Sequence, residues 1–210
     1  MSKSNVISLS LGVASTNCYI YHREGKAIII DPGAEGLRIK QALADNGLTP
    51  TAILLTHGHF DHIGAVDELK ARYGISAYAS PYAASMAASP YKSGGLDFIG
   101  ESITAAVDNV LEATISLAPL PPLEVISTPG HTPGCVSFYS KGDGLVFSGD
   151  ALFQGSYGRT DLPYGDIAEL VSSINKLFAL PPNTVVYSGH GGITTIEAER
   201  RHNPIKEVTI

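Results

Sequence analysis

The segment Thr56-His57-Gly58-His59-Phe60-Asp61-His62-Ile63-Gly64 governs the reading of the whole chain. Residues 51–55 before it are apolar or threonine, the pattern of a buried strand that ends here. His57 and His59 are two apart in extended chain and project to the same side. Asp61 and His62 then fall at the turn into a following helix. Four metal-capable side chains within six residues form a compact ligand cluster. The spacing differs from the helical His-Glu-x-x-His pattern, whose histidines lie four apart.

Four other points share this design. Thr128-Pro129-Gly130-His131-Thr132-Pro133-Gly134 sets His131 in a Gly/Pro-rich loop after an apolar strand. Phe147-Ser148-Gly149-Asp150 and Tyr187-Ser188-Gly189-His190-Gly191 place Asp150 and His190 directly after strands, and Asp31-Pro32-Gly33 ends an earlier one. Glycine lets the backbone turn tightly at each stop. Strand ends of one sheet layer converge on one cleft. Five of the seven histidines lie in these contexts; His22 and His202 are read as surface residues.

The remaining pattern is strands with interspersed helices, which indicates a layered α/β or α+β sandwich. Strands are expected over residues 6–11, 17–21, 26–30, 51–56, 75–78, 123–127, 135–140, 144–148 and 184–187, with a hairpin turn at Glu24-Gly25-Lys26. Helices are expected over 35–46, with Leu37, Ile39 and Leu43 on its apolar side, over one stretch from Asp61 to Tyr73, from Ser80-Pro81, over 166–179 and over 194–202. Residues 89–117 read as a long excursion with some helix, around an amphipathic stretch from Ile103 to Leu111.

Composition narrows the function classes. The chain has 210 residues, 44% hydrophobic and 16% charged, enough for a core without disulfides. A formal charge of -6 disfavours nucleic acid, whose phosphates require a basic stripe. No apolar run is long enough to span a membrane. The start lacks an apolar signal-peptide core. Two cysteines, Cys18 and Cys135, are expected as free buried thiols in a cytoplasmic protein.

On these segments the chain resembles the metallo-β-lactamase fold superfamily, whose HxHxDH signature is carried by His57 to His62. Within it the chain is similar to the glyoxalase II-like (hydroxyacylglutathione hydrolase-like) small hydrolases. Gly158-Arg159-Thr160-Asp161-Leu162-Pro163 and the Glu197 to Pro204 stretch support that likeness, which covers essentially the whole chain. It implies a four-layer α+β sandwich of αββα type, the metallo-β-lactamase fold, with one catalytic domain over residues 1–210. It implies that His57, His59 and His131 hold one metal ion, that Asp61, His62 and His190 hold a second, and that Asp150 bridges them. Two divalent cations are expected, zinc first, with iron or manganese as alternatives. Asp31 would orient a ligand histidine, or simply cap the turn after its strand.

The implied chemistry is hydrolysis. Two adjacent cations lower the pKa of a shared water. Asp61 orients the nucleophile, with His57, His59 and Asp150 as its catalytic companions. Cys135 reads as a core thiol. A thioester suits such a site, because a thiolate leaves with little protonation help. Tyr91, Lys92, Tyr157 and Arg159 are the candidates for substrate contact; for Arg159 the equal alternative is pairing with Asp161 to brace its loop. The chain departs from full-length glyoxalase II in two ways. Only twenty residues follow His190, leaving no room for the family's C-terminal glutathione-binding domain, and Gly192 stands where many relatives have proline. The leading expectation is a thioester hydrolase acting on a small-molecule, hydroxyacylglutathione-like substrate. The alternatives are a lactonase, a phosphodiesterase, an iron persulfide dioxygenase and a non-catalytic metal-binding protein.

Overall fold

Alternating apolar residues give each strand two faces, and two sheets use them to build three layers of core. The computed structural model describes residues 5–209, and among these the first sheet runs in the order β1 (Asn5–Leu11), β2 (Thr16–Arg23), β3 (Lys26–Ile30), β4 (Thr49–Leu54), β5 (Ser76–Ala79) and β6 (Asn109–Val110). β1 to β3 are antiparallel, and β3 to β6 are parallel neighbours. The second sheet contains β7 (Thr114–Ile115), β8 (Leu123–Ser127), β9 (Val136–Ser140) and β10 (Leu145–Gly149). A small hairpin, β11 (Leu152–Phe153) and β12 (Ser156–Tyr157), precedes β13 (Val185–Ser188) and β14 (Thr194–Thr195). The order across this sheet is β14-β13-β10-β9-β8-β7.

Helices cover the outer faces: α1 (Gly36–Asp45), α2 (Phe60–Ile63), α3 (Val66–Tyr73), α4 (Pro81–Ala87), α5 (Gly95–Ile99), α6 (Ile167–Phe178) and α7 (Ile196–His202). Ile28 and Ile30 of β3 face inward and meet Phe138, Leu145 and Phe147 of the second sheet. Ile29 points the other way, packing with Ile39 and Leu43 of α1 and with Val66 and Leu69 of α3. On the far side Val146 and Val186 pack with Leu170, Ile174 and Leu177 of α6. The result is the expected αββα sandwich. Local caps agree with this layout. Asp166 accepts from the amides of Ala168 and Glu169 to start α6, and Ser80 accepts from Ala83 to start α4.

The structure corrects several local expectations. The helix expected from Asp61 to Tyr73 is broken at Gly64-Ala65, because those amides bond to the carbonyls of Gly33 and Pro32. That contact fastens the end of β3 to the ligand segment. Leu37 is 74% exposed, and only Ile39 and Leu43 of the expected trio are buried. Pro50 lies within β4 at a register shift opposite Ala27 and Ile28, where its missing N–H is tolerated. The Ile103 to Leu111 stretch is extended. Its amides at Ala105, Asp108 and Leu111 bond to Ala87, Ala77 and Ala79, so neighbouring chain replaces helical partners. The helix of this excursion is α5 instead. The hairpin of β11 and β12 was not foreseen, and β14 precedes the closing helix α7.

Candidate metal centre

Every proposed ligand follows the C-terminal end of a strand: β4 for His57, His59, Asp61 and His62, β8 for His131, β10 for Asp150 and β13 for His190. All seven come together at one edge of the sandwich. Three groups form, each with its ligand atoms within 4.8 Å of one another: His57, His59 and His131; His57, His62 and Asp150; and Asp61, His62 and His190. Asp150 lies between the halves, with Oδ1 3.4 Å from His62 Nε2 and Oδ2 3.6 Å from His131 Nε2 and 3.4 Å from His190 Nε2.

Hydrogen bonds fix which ring nitrogens face inward. His131 Nδ1 donates to the carbonyl of Arg159 at 2.7 Å, and His62 Nδ1 to Asp31 Oδ2 at 3.0 Å. Thr56 Oγ1 donates to Asp31 Oδ2 at 2.6 Å and so accepts from His57 Nδ1 at 3.1 Å. The network places a proton on Nδ1 of all three rings, so Nε2 is the atom each ring turns toward the metal position. His57 Nε2 and His131 Nε2 then lie 3.0 and 2.9 Å from His59 Nδ1. Three ring nitrogens converging so closely cannot satisfy one another with a single proton. His62 Nε2 and Asp150 Oδ1 are buried without a hydrogen-bond partner. Buried polar atoms are normally paired. The donor set, its convergence and these two atoms all fit cations.

Charge balance within the side chains agrees. Burial drives His57 well below the ordinary imidazole range and, with His131, brings His59 down to about 4, so both present lone pairs. Burial opposes charge on His62 as well, but Asp61, Asp150 and Asp31 outweigh it and raise that ring. The same opposition on His190 is overcome by Asp150 and Asp61, giving about 9. Burial would raise Asp61 and Asp150, yet His62 leads the groups that hold both down, Asp61 to about 2. A cation entering this second half displaces protons from His62 and His190.

Close backbone approaches make the cage possible. Gly149 adopts φ 51°, and a Cβ there would lie 2.5 Å from Thr56 Oγ1. A Cβ on Gly189 would lie 2.0 Å from Asp150 Oδ1. Two contributors escaped the sequence reading. Thr16 donates to Asp61 Oδ2 at 2.7 Å, and Asn17 holds the His190 loop through Nδ2 bonds to Ser188 and Gly191 and its amide bond to Gly189. Both stand at the start of β2, and nothing local in the sequence singles them out.

A cleft of about 220 Å³ opens over the ligands, walled by Ala14, Phe60, Phe98, Arg159 and Leu162. Of the four expected substrate contacts, only Arg159 lines it. The Arg159 guanidinium makes two 2.7 Å bonds to Asp161, so the loop-bracing arrangement is the one present. Tyr157 packs on the core beneath α6, Tyr91 is exposed away from the cleft lining, and Lys92 donates to Ser85 at 3.2 Å. Cys18 and Cys135 are free and buried, and burial pushes the Cys135 thiol up to about 12.

Comparison with known proteins agrees with this geometry. Residues 11–190 match the sequence profile of the metallo-beta-lactamase superfamily. A Bacillus subtilis protein called probable metallo-hydrolase YqgX is 42% identical over 93% of this chain and 94% of its own length. The hydroxyacylglutathione hydrolase GloC of Haemophilus influenzae is 36% identical over 95% of this chain and 97% of its own. Among solved structures, the BLEG-1 B3 metallo-beta-lactamase superposes with a TM-score of 0.92 at 41% identity, covering 95% of this chain and 98% of that one. TTHA1623, solved in a di-iron-bound form, superposes with a TM-score of 0.84 at 37% identity over 94% and 98%.

Proposed function

This chain belongs to the metallo-β-lactamase superfamily and is a metallo-hydrolase, and from that premise we propose that it hydrolyses thioesters with two divalent cations held by its seven clustered ligands. The observation that carries the reading is the convergence of bare imidazole nitrogens and buried carboxylate oxygens at one cleft, with no competing nucleophile among them. In this assignment His57, His59 and His131 would hold one cation and Asp61, His62 and His190 the other, with Asp150, which lies between the two groups, available to both. Zinc is the first choice; the di-iron form of TTHA1623 supports iron as the alternative. The relative named hydroxyacylglutathione hydrolase supports thioesters over other esters.

Cations so held supply an activated water and an electrophile for a carbonyl oxygen. The chain's own residues do the rest. Thr16 fixes the Asp61 carboxylate, which would orient a nucleophilic water in the cleft. Asp31 and the Arg159 carbonyl lock the rings of His62 and His131, and such partners sustain ligand geometry. The stacked rings of Phe60 and Phe98, 6.1 Å apart, wall the cleft and limit its water. A thiolate leaving group needs no dedicated acid, and among the described residues that line the cleft no acid stands besides the ligand set. Residues 1–210 act as one catalytic domain, and its two buried free thiols suit a reducing cytoplasm.

The test is a substrate panel on the metal-loaded protein. Thioesters should be cleaved at least about a hundredfold faster than lactones, phosphodiesters or a β-lactam, a margin of about 2.7 kcal/mol in barrier. Oxygen consumption with a persulfide and no thioester cleavage would replace this reading with the dioxygenase one.

A further inference from the structure

A second groove, about 550 Å³, runs from the metal cleft along the first sheet and shares Ala14, Phe60 and Asp61 with it. Its volume lies within the range of small-molecule sites. Its walls are apolar: Leu11, Val13, Ala34, Phe60, Ile99 and Ile103. Val13 is 82% exposed, Phe98 at the junction 50% and Ile99 36%. Three such side chains, one on the β1–β2 turn and two at the end of α5, flank one opening and make a patch rather than scattered surface residues.

The charges at the groove are all of one sign. Glu35, Glu101 and the ligand Asp61 line it, and among the described residues no lysine, arginine or histidine does. Glu35 is occupied: it accepts from the Gly12 amide at 2.7 Å and pairs with Arg38 at 2.9 Å, which spends that cation at the rim. In the connected cleft Arg159 spends its Nε and Nη2 edge on Asp161, at 2.7 Å each. A ligand carrying several carboxylates, as the glutathione tripeptide does, meets Glu101 and apolar walls along this groove and no lysine or arginine among its described lining residues. An uncharged aliphatic chain meets matching walls.

Resting on the thioesterase reading for its place beside the reacting carbonyl, we propose that this groove binds an uncharged apolar chain of the substrate, so that the preferred thioesters carry such a chain in place of the anionic glutathione carrier. The glycine turn at Gly12 is fixed by Glu35, so the Val13 wall is preformed. Preformed apolar sites bind with little ordering cost.

The test uses non-hydrolysable thioethers and calorimetry, which reads binding without turnover. The probes are S-methyl-N-acetylcysteamine, S-hexyl-N-acetylcysteamine and S-hexylglutathione. A buried methylene is worth up to about fourfold in affinity, so the hexyl probe should bind at least about tenfold tighter than the methyl probe in this half-open groove. It should also bind tighter than S-hexylglutathione. The double variant Val13→Asp, Ile99→Asp, at exposed positions that the fold tolerates, should remove most of the hexyl gain. Equal binding of methyl and hexyl probes, tighter binding of the glutathione conjugate, or a hexyl affinity unchanged in the double variant would each overturn the proposal. Matched acyl thioesters separate the two claims: no thioester turnover at all refutes the thioesterase reading, whereas the thioether series decides the groove by itself.

Discussion

Replacing Asp31 with asparagine isolates one charge behind the ligands. Asp31 is 2% exposed and accepts three hydrogen bonds: the Thr56 amide at 2.8 Å, the Thr56 hydroxyl at 2.6 Å and His62 Nδ1 at 3.0 Å. Its φ of 50° is left-handed, a conformation asparagine tolerates well. Asparagine keeps an oxygen for the Thr56 amide, so the turn survives. The other position becomes an amide NH₂ facing two donors. His62 must then accept at Nδ1, which moves its proton to Nε2, the atom that faces the second metal position. Thr56 must also turn its hydroxyl, which loosens His57. Loss of such a partner costs about 10–100-fold in metal affinity, or roughly 1.4–2.7 kcal/mol. Competition against a fluorescent chelator should show that loss mainly at the weaker of two binding steps, with the chelated variant melting within a few degrees of the chelated parent. If Asp31 only caps its turn, asparagine serves equally well. Parental affinity at both steps in Asp31→Asn would therefore refute the orienting role.

Other perturbations probe other links. Gly189→Ala pushes a methyl to 2.0 Å from Asp150 Oδ1 and 3.0 Å from His62 Cε1, and ligand distances tolerate only about 0.2 Å; metal content by mass spectrometry should fall to about one equivalent or less, with an overpacking cost near 1–3 kcal/mol in urea unfolding. Chelation should lower Tm by roughly 10–20 °C when each free cation stands about a hundredfold above its Kd, and a Tm indifferent to chelator would argue against two structural cations. Glu199, buried in α7, accepts from Gly155, Thr194 and Asn203; Glu199→Ala should cost about 3 kcal/mol in denaturant unfolding, and a loss below about 0.5 would show these bonds to be dispensable. A Cys135 pKa of about 12 leaves about one thiolate in ten thousand at pH 8, so the native protein should resist a thiol reagent that labels both cysteines once unfolded; rapid native labelling would contradict the burial.

The ligand set was legible because its signal is local. The members follow apolar runs, and all but Asp61 and His62 sit directly beside a glycine, which a close approach requires at Gly149 and Gly189. Strand alternation likewise shows in the sequence, since Ile28, Ile29 and Ile30 need only a period of two to choose their faces. What sequence reading missed is non-local. Thr16 meets Asp61 across 45 residues and Asn17 meets Ser188 across 171, and neither pairing leaves a pattern near either partner. Helix breakage at Gly64-Ala65 arises from hydrogen bonds to Pro32 and Gly33, which no property of residues 61–73 announces. Tyr91 and Lys92 have the chemistry of substrate contacts, but substrate walls depend on where the excursion packs. It lies along β5 and brings Phe98 and Ile99 to the opening instead.

The account rests on two cations acting together at one cleft. Its most direct test is the initial rate of thioester hydrolysis as metal is titrated into chelator-stripped protein, with S-D-lactoylglutathione and a neutral acyl-N-acetylcysteamine as substrates. Hydrolysis should be absent at the start and rise to a plateau at two equivalents. A protein that takes up two equivalents and cleaves neither thioester, or one that is fully active at a single equivalent, would contradict it.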